Sequence, residues 1–192
     1  KDRLYTTPTR SLARRSAQTA MWHIAEAMVR WLAPVLSFTA EEIWSYLPGD
    51  RPRSVFHSTW HALPAMPAAD IDWDALLALR GEVARELERL REAGSIGAPL
   101  EAEVEIECSP DEYARLAALG DELRFFLITS GARVLANAQL TARQITVRPT
   151  NAPKCVRCWH RREDVGTHPE HPLICARCVT NVAGEGETRV RA

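Results

Sequence analysis

The sequence contains no run of about eighteen apolar residues, which is the length that a membrane-spanning helix needs. It also contains no apolar signal segment, and this argues against an oxidising compartment and against structural disulfides. We therefore expect a cytoplasmic protein that has no membrane partner.

A strong charge of one sign is also lacking. The formal net charge is −1, so no global basic field attracts nucleic acid, and any RNA binding must come from local patches. Lys1 and Lys154 are the only lysines, so such patches would consist mainly of arginine. The 192 residues suffice for one or two domains. Because no initiator methionine precedes Lys1, we expect a fragment of a longer chain. We also expect a monomer.

Cysteine is sparse but patterned. Four of the five cysteines form two Cys-x-x-Cys turns, Cys155 with Cys158 and Cys175 with Cys178, and sixteen residues separate the turns. Each such turn can point both sulfurs at one centre about 2.3 Å away, and two turns complete a tetrahedron. Four soft thiolates favour zinc over calcium or magnesium and leave no position for a catalytic water. The spacing therefore predicts one structural zinc ion.

Other interpretations of the cysteines stay open. The two turns could form disulfides, hold an iron–sulfur cluster or act as a redox pair. His160, His168 and His171 are close enough in sequence to replace one cysteine ligand. Cys108 lies alone in an alternating stretch, so we interpret it as a small buried hydrophobe.

The first part of the chain shows helical periodicity. Apolar residues recur at three- and four-residue steps over 9–33, which predicts a helix that Pro34 ends or kinks. A capping box from Thr39 to Glu42 predicts a second helix that stops at 48–49. Two helices joined by a short turn suggest an antiparallel bundle. Its core would contain four aromatic residues: Trp22, Trp31, Phe38 and Trp44.

A connecting segment and a long helix follow. Residues 49–70 hold proline, glycine and short polar runs, with one extended candidate at 54–60. Asp72 can cap a helix whose apolar stripe continues until Gly94 stops it.

The hydrophobic periodicity of the sequence then changes, and the new pattern predicts a small α+β unit. Strict alternation over 101–108 predicts a half-buried strand. Ser109 opens a capping box that predicts a helix to about Leu119. We further predict a short helix from Asp121 and two strands, over 127–135 and 144–148.

Basic residues cluster near the start of the chain. Arg3, Arg10 and Arg14 follow a seven-then-four step, so on one helix they would share a face, with Arg15 beside it. Like charges four residues apart repel each other unless an anion lies among them, and phosphate is the natural anion. We interpret these residues as candidate phosphate contacts, with a solvated face as the alternative.

Stretches along the whole chain resemble the C-terminal part of bacterial isoleucyl-tRNA synthetases. They are KDRLYT at 1–6, RSAQTA at 15–20, RWLAPVLSFTAEEIW at 30–44, LGDELRF at 119–125, CVRCWH at 155–160 and CARCVTNV at 175–182. The third stretch is similar across the synthetases for branched apolar amino acids. The terminal four-cysteine module favours isoleucine among them.

The resemblance implies a mainly α fold. A helical anticodon-binding region would span 1–94, a small α+β junction unit 95–150 and a C-terminal four-cysteine zinc-binding module 151–192. The parent enzyme would use ATP to ligate L-isoleucine to tRNA(Ile). This sequence lacks the family's His-Ile-Gly-His and Lys-Met-Ser-Lys-Ser signatures and its editing domain. We therefore expect the chain to be inactive as a ligase alone, with ATP serving only the missing domain.

The resemblance also implies the partners: the anticodon stem-loop of tRNA(Ile) and the remainder of the synthetase chain. Trp159 would stack on a base of the loop, since RNA loops are read by stacking on aromatic rings. Arg157, Arg161 and Arg162 flank it, and with Lys154 and Arg177 they would balance the excess negative charge of the zinc–thiolate cluster and face phosphate.

Alternatives to this function remain. Trp159 could fill the core of a small zinc module instead of facing RNA. The knuckle spacing also occurs in the zinc finger of formamidopyrimidine-type DNA glycosylases, and a zinc ribbon can serve protein contacts alone.

Overall fold

The computed structural model describes residues 2–65 and 71–191, and this part of the chain is mainly helical, as predicted. The helices are α1 (Asp2–Thr6), α2 (Leu12–Leu32), α3 (Ser37–Tyr46), α4 (Trp73–Glu92), α5 (Pro110–Ala117), α6 (Leu123–Leu127) and α7 (Ala176–Ala183). The strands are β1 (Ala102–Cys108), β2 (Gly131–Ala136) and β3 (Gln144–Pro149). No helix within the described ranges is long and apolar enough to cross a membrane.

The chain divides into two compact units. One combines residues 1–8 with 70–192, and the other spans 9–69. We call them the sheet-zinc unit and the helical unit. The predicted boundaries after 94 and 150 are based on sequence and stay a prediction.

Arg3, Arg10 and Arg14 could share a face only on one helix, and the structure interrupts the helix between Arg3 and Arg14. α1 ends at Thr6 because Pro8 lacks an amide hydrogen and disfavours helical geometry in the residue before it. α2 begins only at Leu12, where the Ser11 side chain accepts a hydrogen bond from the Arg14 amide at 3.3 Å. Arg3 therefore belongs to a different helix and a different unit, and the shared face is wrong.

The capping box at Thr39 is also wrong. α3 begins at Ser37 with Leu36 as its N-cap and no side-chain cap, so Thr39 lies inside the helix. The chain turns directly after α2, and the Leu36 carbonyl already accepts the first helical bond, from the Ala40 amide at 2.8 Å. Glu41 accepts from Ser54 Oγ at 3.0 Å and from the Val55 amide at 3.1 Å, and so ties down the following segment. That segment is a 3₁₀ turn at Val55–His57 where an extended stretch was predicted.

Trp44 is the one predicted aromatic core residue of the helical unit that is buried. It is 2% exposed, packs with Val29 and Ala33 and donates its indole N–H to the Pro52 carbonyl at 2.8 Å. The exposed fractions are 41% for Trp22, 55% for Trp31 and 94% for Phe38. The buried cluster of this unit is small and consists of Val29, Ala33, Ala40, Trp44 and Val55, so the core prediction is wrong for the other three aromatic residues.

The sheet-zinc unit has its core between α4 and the sheet. Asp72 caps α4 as predicted and accepts from the Ala75 amide at 3.0 Å. Leu79 and Val83 on α4 are fully buried, as are Ile106 and Cys108 on β1. β1 is the central strand, parallel to β2 and antiparallel to β3. The alternation of apolar and acidic residues in the sequence of β1 therefore matches the alternation of its more and less buried residues, and β1 is the central strand of the sheet.

The segment before β2 contains a left-handed residue that shifts the predicted strand. A 3₁₀ turn at Gly120–Glu122 leads into α6, and Ile128 ends α6 with φ +61°. β2 therefore begins at Gly131, not at 127. This arrangement brings Phe125 and Ser130 next to the C-terminal module, where Ser130 Oγ accepts from the Arg161 amide at 2.7 Å.

Candidate metal centre and nucleic-acid interface

The four predicted zinc ligands meet at one buried point. The sulfurs of Cys155, Cys158, Cys175 and Cys178 all lie within 4.8 Å of one another, and none of these residues is more than 8% exposed. A tetrahedron with metal–sulfur bonds of about 2.3 Å has edges of about 3.8 Å. The Cys158 and Cys175 sulfurs are 3.7 Å apart. The cluster therefore fits a closed four-thiolate site, and the four cysteines hold a structural zinc ion.

Backbone geometry builds the first knuckle. The Trp159 amide donates to the Cys155 carbonyl at 2.9 Å, and the Cys155 amide donates to the His160 carbonyl at 2.9 Å. An isolated antiparallel bridge between Lys154 and Arg161 closes the base of this loop. These bonds hold Cys155 and Cys158 on the same side of the turn.

The second knuckle uses the start of a helix. Cys175 is the N-cap of α7, so Cys178 lies in its first turn. The Cys175 amide donates to Cys155 Sγ at 3.4 Å, which links the two knuckles. A hydrogen bond with Cys175, together with burial, raises the pKa of the Cys158 thiol. A bound dication offsets this cost, because the ligands must be thiolates.

The histidines near the cysteines do not join the ligand cluster. His160 is 4% exposed, and its Nδ1 lies 3.2 Å from the Cys158 carbonyl oxygen. Burial lowers the pKa of His160 to about 4, and the nearby Arg124 acts in the same direction. The rings of His168 and His171 are tilted by 35° to each other, with centroids 5.4 Å apart. Among the described residues, the metal-ligating cluster consists of the four cysteines alone.

Trp159 is the only tryptophan, tyrosine or phenylalanine in the sequence of the zinc module, residues 151–192. It is 64% exposed and has φ +68°, a left-handed conformation that side-chain-bearing residues rarely adopt. Lys154 Nζ lies 5.9 Å from the centroid of the indole. The aromatic residue that directly follows a zinc ligand therefore points outward beside a positive charge.

The arginines predicted to flank Trp159 make intramolecular contacts. Arg157 Nη1 donates to the Thr6 carbonyl at 2.8 Å, and Arg161 Nη2 pairs with Glu101 at 3.0 Å. Arg162 lies 4.0 Å from Asp121 and is about one-third exposed. The structure thus brings these groups to the zinc module but directs Arg157 and Arg161 into the protein.

The other predicted phosphate contacts are divided between the units. Arg3 lies 3.9 Å from Glu122 in the sheet-zinc unit. Arg10 precedes α2 and Arg15 lies in its first turn, both exposed, whereas Arg14 is half-buried in the helical unit.

A buried ionic cluster was not predicted from the sequence. Asp2 accepts from Arg177 at 2.5 Å and from Arg189 at 3.1 Å, although 175 and 187 residues separate these partners. The guanidinium of Arg189 lies 3.6 Å from the centroid of Phe125, and that of Arg177 lies 4.6 Å from it. No short-range pattern signals such contacts, since their partners lie at opposite ends of the chain.

Two family models match the chain. Residues 1–106 match the anticodon-binding domain of tRNA ligase, and residues 153–181 match the zinc finger found in FPG and IleRS. The first match covers more than half of the chain, so the DNA glycosylase alternative, which leaves that part unexplained, is not favoured.

Curated relatives agree with these matches. The isoleucine--tRNA ligase of Methylococcus capsulatus is 55% identical over 98% of this chain and 22% of its own length. Those of Alkalilimnicola ehrlichii and Nitrosococcus oceani are 53% and 52% identical, over 98% and 100% of this chain and again 22% of each relative. The chain thus spans about a fifth of the length of these relatives. It belongs to the family of anticodon-binding domains of tRNA ligases and also carries a zinc finger of the type found in FPG and IleRS.

Proposed function

We propose that this chain binds the anticodon stem-loop of tRNA(Ile), as a monomeric tRNA-binding part of an isoleucine--tRNA ligase. The remainder of the synthetase chain is its covalent partner. ATP and L-isoleucine enter only through that remainder, which would carry out the ligation. The observation that supports RNA binding most directly is the outward-facing, strained Trp159 beside a zinc ligand.

The backbone strain at Trp159 supports a role of this residue in binding and not in stabilising the fold. A left-handed conformation costs a side-chain-bearing residue roughly 1–2 kcal/mol, whereas glycine adopts it without this cost. The knuckle needs only the backbone of residue 159, whose amide bonds to the Cys155 carbonyl. The ring is mostly in solvent, so core filling does not account for it. An exposed indole suits stacking on an unpaired base, which contributes roughly 1–3 kcal/mol.

The arginines divide into two roles in this proposal. Arg10 and Arg15 are exposed and would contact phosphates from the helical unit. Arg162, partly exposed in the zinc module, would do the same there. Arg3, Arg14, Arg157 and Arg161 are partly buried, and we assign them to shaping these surfaces before any direct contact with RNA.

Filter binding of the zinc-loaded chain tests the proposal. Labelled tRNA(Ile), a tRNA for another amino acid and a DNA duplex with an abasic site are compared at one salt concentration, since phosphate contacts make affinity salt-dependent. We expect tRNA(Ile) to bind most tightly. Equal binding of all three would contradict the proposal, and preference for the abasic duplex would favour a DNA-repair role.

A further inference from the structure

The two zinc knuckles carry arginine at the same position. Each reads Cys-x-Arg-Cys, so Arg157 and Arg177 both directly precede the second cysteine of their turn. Both side chains reach the same short segment at the other end of the chain. We call residues 2–8 the N-terminal segment; it contains α1 and leads to Thr9, the first residue of the helical unit.

Arg157 bonds to the C-terminal end of α1. Its Nη1 donates to the Thr6 carbonyl at 2.8 Å, and its Nη2 donates to the Tyr5 carbonyl at 3.5 Å. The last carbonyls of a helix lack partners within the helix, so a guanidinium satisfies them well. The same Nη1 lies 3.7 Å from Sγ of Cys178, a zinc ligand in the other knuckle.

Arg177 grips the side chains of the same helix. Its Nη2 donates to Asp2 Oδ2 at 2.5 Å and to Thr6 Oγ1 at 2.7 Å, while its Nη1 reaches Asp2 Oδ1 at 3.3 Å. The Arg177 side chain is 11% exposed, and Glu187 holds its other edge at 2.7 Å. A forked, largely buried pair of this kind is strong and geometrically specific.

The environment of Asp2 indicates that the pairing is tight. Burial opposes ionisation of Asp2, but the charges and hydrogen bonds of Arg177 and Arg189 more than compensate and hold the pKa of Asp2 below 3.8. The chain around Gly186 also packs closely on the N-terminal segment, at Pro8. A Cβ added at Gly186 would lie 2.6 Å from Pro8 Cγ, closer than real contacts allow.

We propose that Arg157 and Arg177 turn the zinc centre into a clamp for the N-terminal segment, so that metal binding and docking of α1 form one coupled equilibrium. Each arginine is placed by the two cysteines of its own knuckle. Their guanidiniums converge on α1 only while both turns are held on one centre. The clamp thereby holds the N-terminal segment against the zinc module within the sheet-zinc unit.

Amide hydrogen exchange of the zinc-loaded full chain tests this clamp. We expect Arg157→Ala and Arg177→Ala each to speed exchange at Thr6 and Thr7 about tenfold or more, with one zinc retained per chain. Arg162→Ala is the matched control, because Arg162 lies in the same module and makes its ion pair with Asp121, not with α1. Unchanged exchange in both alanine variants would overturn the clamp.

Zinc affinity gives the reciprocal test, with a variant that leaves the sequence of both knuckles unchanged. Coupling between two binding events acts equally in both directions, and typical couplings change affinity by roughly 5- to 150-fold. We expect Asp2→Asn to weaken zinc binding at least about fivefold in competition with a chromophoric chelator. Wild-type zinc affinity in Asp2→Asn would overturn the proposal. Neither measurement involves RNA, so the clamp and the proposed tRNA binding can fail separately.

Discussion

Lys154 Nζ lies 5.9 Å from the centroid of the Trp159 indole, on the surface of the first zinc knuckle. The ammonium and the ring come from opposite ends of a loop that the backbone bridge between Lys154 and Arg161 closes. An RNA loop offers unpaired bases and phosphates, which match an aromatic face and a cation in this order. The pair therefore gives the knuckle one stacking group and one charge.

Replacement of Trp159 separates folding from RNA binding. Trp159→Gly removes both the ring and the cost of the left-handed backbone, so we expect unchanged zinc content and equal or higher stability. We expect tRNA affinity to fall about 5- to 150-fold, the equivalent of roughly 1–3 kcal/mol for one stacked base. Filter binding and metal analysis of the same preparation check both expectations.

Leu173→Ala is the matched control for Trp159. Leu173 lies in the same module and is also 64% exposed, but it carries no aromatic ring. We expect it to bind tRNA like the wild type. Loss of zinc in Trp159→Gly would contradict a role in binding alone and would mean that the indole stabilises the zinc module.

The exposed arginines of the helical unit should determine salt dependence. Each phosphate contact releases about one counterion, so Arg10→Ala and Arg15→Ala should each lower the slope of log affinity against log salt by about one. Arg89→Ala serves as control, because Arg89 is 72% exposed on α4 and pairs with Glu86. Unaltered slopes in both variants would mean that Arg10 and Arg15 lie on a solvated face and do not contact phosphate.

Removal of a zinc ligand should unfold the zinc module. We expect Cys175→Ser to lose the metal, because zinc binding contributes about 10–16 kcal/mol in small modules of this type. Cys108→Ala is the control, since Cys108 is fully buried on β1 away from the cluster and should leave zinc content at one per chain. Full zinc occupancy in Cys175→Ser would exclude the four-thiolate site.

Glu26 should make the helical unit sensitive to acid. Burial opposes its charge, but hydrogen bonds from Arg30 and Arg51 hold the pKa of Glu26 below its ordinary value of 4.5. A carboxyl whose pKa is lower in the folded than in the unfolded state adds stability above about pH 4.5, and this is lost as pH falls through the lowered pKa.

We expect Glu26→Gln to cost roughly 3 kcal/mol at neutral pH, because it leaves two largely buried guanidiniums, those of Arg30 and Arg51, without their counter-charge. The difference from the wild type should shrink below pH 4.5 in urea unfolding. Glu42→Gln, on the exposed side of α3, should unfold like the wild type throughout. A difference for Glu26→Gln that is constant with pH would rule out this ion pair as its cause.

Local signals in the sequence predicted the local structure well. The caps at Asp72 and Ser109 and the alternation of β1 depend on neighbours within four residues, and the structure confirms them. The zinc ligands were also predictable, because two Cys-x-x-Cys turns can close on one ion wherever the chain brings them together.

The features that the sequence did not predict depend on contacts between residues far apart along the chain, or concern apolar side chains that stay exposed. The apolar periodicity of α2 identified an apolar stripe but not what packs on it, so Trp22 and Trp31 were wrongly placed in the core. Arg157 was interpreted as an RNA contact from its neighbours, and that role stays a prediction; its hydrogen bond to Thr6, 151 residues earlier, could not be predicted from those neighbours. The identical position of Arg157 and Arg177 in the two knuckles was the available signal for a shared role.

Titration of an isolated anticodon stem-loop into the zinc-loaded chain tests the central claim most directly. Two RNAs are compared that share one stem, one with the anticodon of tRNA(Ile) and one with those three bases permuted, against the wild type and Trp159→Ala. We predict that the wild type prefers the isoleucine anticodon and that Trp159→Ala loses most of this affinity while keeping its zinc. Equal affinity of the wild type for both loops, unaffected by Trp159→Ala, would contradict the account.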